Sequence, residues 1–199
     1  MKKLIYTLAL AVTLWSCKTG STSGDAKSKT VDVNINLVDV KDDKVLVTVT
    51  PPAIKTDEVI YSIPKTVPGT YSTDNYGKYS DGFKAFDAKG NELTVKRIDD
   101  NSWSISNAKS LKKITYLVGD TFDTEKGSGF GSGDVFSPAG TNINAGVNFM
   151  VNTHGFVGYF QDKLDVPYKV TITHPETLWG ATSMTDTDDG KTRDVITTS

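Results

Sequence analysis

The chain has 199 residues, with 22 basic and 24 acidic side chains and a net charge of −2. Charges of both signs are interspersed, so there is no basic stripe of the kind a phosphate backbone requires, and nucleic acid is excluded as an expected partner. A single cysteine, Cys17, excludes an internal disulfide, and the length suits one domain that buries its own core.

Lys2 and Lys3 precede an apolar run from Leu4 to Leu14, and Leu14-Trp15-Ser16-Cys17 closes it with a small residue before the thiol. The run is about a dozen residues, too short for the roughly 20 a spanning helix needs. Leu-x-Ser-Cys resembles the lipobox of bacterial lipoproteins. That resemblance implies a signal peptide over 1–16, its removal, and acylation of Cys17 as the new N-terminus. The following stretch to Thr30 holds no aliphatic residue larger than alanine and reads as a flexible tether over 17–30. The expected partner at this end is a membrane, held through several acyl chains because one alone binds only marginally. Nothing after Cys17 is long and apolar enough to span a bilayer. Lys18-Thr19-Gly20-Ser21 lacks the acidic run that resembles a surface-export signal, so the envelope location expected is the periplasmic side.

Beyond Thr30 the pattern is that of strands. Val31, Val33, Ile35 and Leu37 alternate with Asp32, Asn34 and Asn36, a period of two that buries one face. Val45, Val47 and Val49 repeat it after the turn signal Lys41-Asp42-Asp43. Further strands are expected over 59–63, 93–98, 103–105, 114–118, 147–151, 156–160 and 168–173. Ala88-Lys89-Gly90-Asn91 predicts a hairpin turn between Phe86 and Leu93, and Asp99-Asp100-Asn101 predicts another before Trp103. The best helical candidate, 107–113, is a turn or two. The expected fold over 31–199 is all-β: an antiparallel β-sandwich or a saddle-shaped relative of it.

Two loops interrupt the strands. In 64–79, Pro68-Gly69 marks a tight turn, and Tyr71, Tyr76 and Tyr79 follow it; such a cluster lines a pocket or packs the loop onto the sheet. In 123–148, glycines alternate from Gly127 to Gly133 without a dinucleotide fingerprint or a Gly-Lys-Ser/Thr ending, which reads as a surface connection. Phe130 and Phe136 in it are available to a partner surface.

No catalytic constellation emerges. His154 and His174, the only histidines, lie outside any His-Glu-x-x-His pattern or other metal-ligand spacing, so no metal ligand and no catalytic residue is assigned. His174-Pro175 reads as a strand end and His154-Gly155 as a turn. Gly129-Phe130-Gly131-Ser132-Gly133 lacks the strand-to-helix setting of a nucleophile elbow. Asp186-Thr187-Asp188-Asp189-Gly190 begins like a calcium loop, but Thr197 stands where the bidentate glutamate belongs, leaving a solvated acidic turn.

Val59-Ile60-Tyr61-Ser62-Ile63-Pro64 with Val67-Pro68-Gly69-Thr70-Tyr71 resembles the strand and Pro-Gly-Ser-Tyr turn in the N-terminal domain of the glycyl aminopeptidases, metallopeptidase family sixty-one, with threonine in place of the usual serine. Gly155 to Phe160, Pro167 to Thr173 and Trp179-Gly180-Ala181-Thr182-Ser183 look like that domain's closing strands. The resemblance implies a β domain preceding a thermolysin-like zinc domain, often with a peptide-binding PDZ module at the end, that removes N-terminal glycine and alanine. None of the zinc ligands has a matching position here, so zinc is expected only in a catalytic domain missing from this chain. In that setting the β domain covers one side of the zinc cleft, and its partners are a peptide substrate or the catalytic domain. Tyr71, Asp74 and Tyr76 are then the candidates to face substrate: a carboxylate holds a peptide ammonium and tyrosines wall a small pocket. Asp74 beside Asn75 equally suits a turn cap. The alternatives are a stand-alone envelope lipoprotein binding a glycan or protein, and a purely structural one.

Overall fold

A computed structural model describes residues 29–121, 135, 137–188 and 190–198. Cys17, the tether up to residue 28, the glycine-rich run 127–133, Phe130 and Phe136 lie outside the described residues.

The alternating N-terminal segment forms β1 (Val31–Lys41), which turns through Asp42 and Asp43, at φ of 51° and 50°, into β2 (Lys44–Thr50). Two successive residues with positive φ match the twist of the paired strands, as the acidic turn signal predicts. The chain then contributes β3 (Glu58–Ser62), β4 (Ser80–Phe86), β5 (Val95–Arg97), β6 (Ser102–Ser106) and β7 (Lys113–Gly119). A small hairpin, β8 (Asn142–Asn144) and β9 (Asn148–Met150), precedes a single helical turn α1 (Thr153–Phe156). Last come β10 (Tyr159–Phe160), β11 (Tyr168–Thr173) and β12 (Arg193–Thr197).

Among the described residues these strands make a six-stranded sheet, ordered β12-β11-β1-β2-β7-β4, and a four-stranded sheet, β10-β3-β6-β5, with β8–β9 apart. Pairing is antiparallel everywhere except between β1 and β11, which run parallel with Val33 opposite Val170. The all-β sandwich expected from the alternation is therefore present, with one parallel seam where the chain returns from its far end to its first strand.

The two inner faces meet in one apolar core. Val33, Ile35, Val47 and Ile114 come from the larger sheet, and Val59, Tyr61, Trp103 and Ile105 from the smaller. Aromatic rings carry the contact between layers: Tyr61 lies 6.0 Å from Tyr116 and Phe83 stacks on Trp103 at 4.6 Å, while Phe160 meets Tyr61 at 5.0 Å from the neighbouring strand of the same sheet. The Tyr61 and Tyr116 hydroxyls, buried between the sheets, are 3.0 Å apart. Tyr116 donates to the Phe156 carbonyl at 2.5 Å, and the Gly158 amide donates to the Tyr61 hydroxyl at 3.1 Å.

Three expectations are corrected. The strand expected over 156–160 exists only at Tyr159 and Phe160, because Phe156 closes the helical turn and side-chain hydroxyls take the backbone groups of Phe156 and Gly158 that a ladder would use. The strand over 93–98 shortens to Val95–Arg97. The turn at 88–91 forms, with the Asp87 carboxylate accepting the amides of Lys89 and Asn91, but it carries the chain from one sheet to the other, and ladder pairing across it is limited to Phe86 with Glu92. The 107–113 candidate is, as expected, no more than a turn or two: a short 3-10 turn over Ala108–Ser110 followed by β7.

Tyr116→Phe removes the only side-chain donor the structure gives to the buried Phe156 carbonyl while keeping the ring. A buried polar group left without its partner costs about 1–3 kcal/mol. The urea midpoint is expected to fall correspondingly with an unchanged m-value; an unshifted midpoint would show that the hydroxyl network carries no stability.

Candidate functional site

Two surfaces stand out, and the first is the Pro-Gly loop. Gly69 sits at φ +95°, as the turn chemistry requires. Asp74 is buried, and its carboxylate accepts from the Ser72 hydroxyl at 2.7 Å and the Tyr76 hydroxyl at 2.8 Å. Tyr76 is buried as well, its ring meeting His154 edge-on at 4.5 Å. Burial first, and the Asp74 carboxylate second, raise the Tyr76 phenol above its ordinary range. Asn101 fastens the loop from below: its amide donates to the Asn75 side chain and its carbonyl accepts from the Gly77 amide. A Cβ at Gly77 would stand 2.5 Å from the Asp100 carbonyl, so glycine is required there for the close approach. The structure thus brings Asp74 and Tyr76 together as an internal brace and places Tyr71 apart, fully exposed and at φ +56°. The Asp74 carboxylate accepts from two side-chain hydroxyls of its own loop and from no backbone amide, so it braces the loop and does not cap the turn.

The second surface is a groove of about 650 Å³ between the β8–β9 hairpin and the segment 178–184. Its floor continues the inner face of the larger sheet: Leu37 from β1, Ile172 and then His174 from β11, Asp194 and Ile196 from β12. Period-two spacing puts Ile172 with His174, and Asp194 with Ile196, on this one face. The rim is apolar and open, with Trp179 86% exposed and Val147, Met150 and Met184 also in water.

The floor carries the charge. His174 is buried, its Nδ1 lies 3.0 Å from the Pro175 carbonyl, and its Nε2 stands 3.5 Å from Asp194 Oδ2 without a hydrogen bond. Burial raises the Asp194 carboxyl above the ordinary carboxylate range; His174 pulls it back, and the neighbouring Asp186 adds to the rise. Asp186 is shifted the other way by the amides of Asp188 and Val195 that its carboxylate accepts. Those bonds make 186–190 an acidic turn anchored to the edge of β12. Gly180 lies against the Asp194 carboxylate, which a Cβ at that position would have to displace.

His174 stands at the strand end its sequence position predicts, and His154 lies in α1, its Nε2 2.8 Å from the Ala139 carbonyl. Among the described residues there is no group of three or more His, Cys, Asp or Glu side chains that could hold a metal ion. Sequence reasoning singled out Trp179-Gly180 only as a stretch of resemblance and did not connect it with His174 or Asp194. The available signal was the change from Val170 and Ile172 to a histidine in the same alternation.

The model of the peptidase M61 N-terminal domain matches residues 32–198. The chain belongs to this family. The fold of the M61 domain is similar to part of a solved structure, an aminopeptidase N family protein from Idiomarina loihiensis, at a TM-score of 0.68 and 18% identity. The alignment covers 85% of this chain and 27% of that protein, so the M61 domain here spans about a quarter of its length. At that identity the likeness is one of fold. No curated protein matches the chain by sequence.

Burial of tyrosines gives the M61 domain an alkaline limit. Burial raises the phenols of Tyr61, Tyr76 and Tyr116, and pushes Tyr168 up to about 12. A group whose folded pKa exceeds its unfolded value of about 10 contributes stability that is complete below that pH and is lost as pH climbs through the folded value. The melting temperature is expected to stay level up to about pH 10 and to fall steeply toward pH 12, with tyrosinate absorbance rising in the same interval. Ionisation of the whole set of tyrosines while the structure stays intact would contradict the burial.

Proposed function

We propose that this chain is the non-catalytic β domain of a lipid-anchored, glycyl-aminopeptidase-like zinc metallopeptidase, in which it helps to form the substrate cleft. The observation that carries this reading is the family match across nearly the whole of 32–198, the described β sandwich. The neighbouring fold in a peptidase several times longer supports a domain that works beside others. Zinc and the hydrolytic step belong, in this reading, to the catalytic domain, and the β domain supplies surface. Tyr71 is the loop residue available to substrate or to that domain, since Asp74 and Tyr76 are turned inward. Cys17 carries the lipid and holds the assembly on the periplasmic face of the envelope.

A second reading, a stand-alone envelope lipoprotein that binds a protein, draws on the apolar rim around Trp179, Met150 and Met184. Exposed apolar surface gathered at a concavity is the mark of a binding site. The aromatic residue at that rim is a single tryptophan, and pyranose stacking along a row of rings is correspondingly less favoured.

The intact mass of the natural product, purified from the membrane fraction of its own cells, separates the readings. A species much heavier than 21.5 kDa that hydrolyses glycyl and alanyl substrates is expected. A species near that mass, shifted by leader removal and acylation, would overturn the peptidase reading. Cys17→Ser is expected to move the protein from the membrane to the soluble fraction; unchanged membrane retention would overturn the lipid anchor. In the active product, Tyr71→Ala is expected to raise KM several-fold at unchanged kcat and melting temperature, because an exposed side chain contributes to uniform binding and not to folding. Unaltered kinetics would remove Tyr71 from the cleft.

A further inference from the structure

The groove beneath Trp179 has a chemical asymmetry that its place in the fold does not require. Its floor holds two carboxyls, Asp194 and Asp186, beside the His174 ring. His174 is more than nine-tenths buried, its Nδ1 lies against the Pro175 carbonyl, and its Nε2 has no hydrogen-bond partner and stands 3.5 Å from Asp194 Oδ2. Among the described residues no lysine or arginine lines the groove. Arg193, next to Asp194 in sequence, points to the other face of β12 and pairs with Asp188. Two carboxyls on one floor with no basic side chain of the groove beside them favour a cation, and a multi-donor one can bond to both.

The walls select what accompanies that cation. Trp179, Met184, Met150 and Val147 stand in water around the opening, and Leu37 and Ile196 line the floor beyond the acidic group. Tryptophan and methionine at the mouth of a groove are the residues favoured where protein segments dock. A volume of about 650 Å³ suits a few residues of peptide.

We infer that this groove is a binding site for a peptide segment carrying an arginine or lysine beside an apolar side chain: the basic group enters to Asp194 and Asp186, and its apolar neighbour lies under Trp179. The recognised charge is a side chain within the segment, so a free N-terminus is not needed. The site belongs to the β domain itself and does not rest on a catalytic partner.

Acetyl-Phe-Arg-Leu-amide, blocked at both ends, is the probe, titrated calorimetrically into the full chain in detergent. Saturable binding is expected, weakened about tenfold or more when citrulline replaces arginine, and to a similar degree by Asp194→Asn and by Trp179→Ala. Circular dichroism checks that each variant is folded; should Asp194→Asn fail to fold, Trp179→Ala on its exposed side chain and the citrulline comparison still decide. No binding of the arginine peptide, equal binding of the citrulline peptide, or binding indifferent to Trp179→Ala would overturn the inference. Phenethylammonium binding as tightly as the peptide would overturn it too, assigning the groove to free amines.

Discussion

Two tyrosine hydroxyls facing each other at 3.0 Å in the middle of an apolar core set the terms for much of this domain. Tyr61 belongs to the smaller sheet and Tyr116 to the larger, so their contact fixes how the layers meet. Buried this deeply, neither hydroxyl can be left with open hydrogen-bonding capacity without cost. The capacity is filled by the backbone around α1: the carbonyl of Phe156 and the amide of Gly158, whose carbonyl accepts in turn from Tyr168. Gly158 is needed at that point because a Cβ would press into the Tyr61 ring. The segment preceding β10 is thereby clamped to both sheets, and β9 ahead of it is held where Phe149 packs against the core.

That clamp has a consequence at the surface. Among the described residues the larger sheet has six strands and the smaller four. On the β12–β11–β1 side of the larger sheet the β8–β9 hairpin and the segment 178–184 flank its inner face, and the groove is the space between them. The interior face of a strand, which elsewhere buries Val170, there presents His174 and, on the neighbouring strand, Asp194. The Pro-Gly loop is the opposite case. Its polar groups are consumed internally by Asp74, Tyr76 and Asn101, leaving a rigid turn that displays one tyrosine.

Under the proposed reading, a domain of this peptidase-associated family supplies surface. Shape and acceptor chemistry on a rigid sandwich are suited to holding a segment of chain, and need no reactive group to do so. Under the proposed reading, the cleft role and the groove are separate properties of one scaffold, the first exercised beside a catalytic domain and the second within the β domain.

The strands from Val31 to Val49 and from Ile114 to Val118 were legible because each buries one face, and period two records that directly in the residue types. The turns at Asp42-Asp43, Pro68-Gly69 and Gly90 were legible because backbone angles restrict which residues fit. β4 was not, since Gly82 and the charged Asp81 and Lys84 obscure its alternation, and β12 hides behind Arg193 and Asp194. Tyr71, Asp74 and Tyr76 could be nominated from the chain, but which of them faces water depends on Asn101, a residue of another turn. The groove draws on Leu37, the hairpin and the stretch from Ile172 to Ile196, brought together by the parallel pairing of β1 with β11. Local pattern determines which face of a segment is buried. What that face meets is decided by pairing between distant segments, and only the tertiary structure contains it.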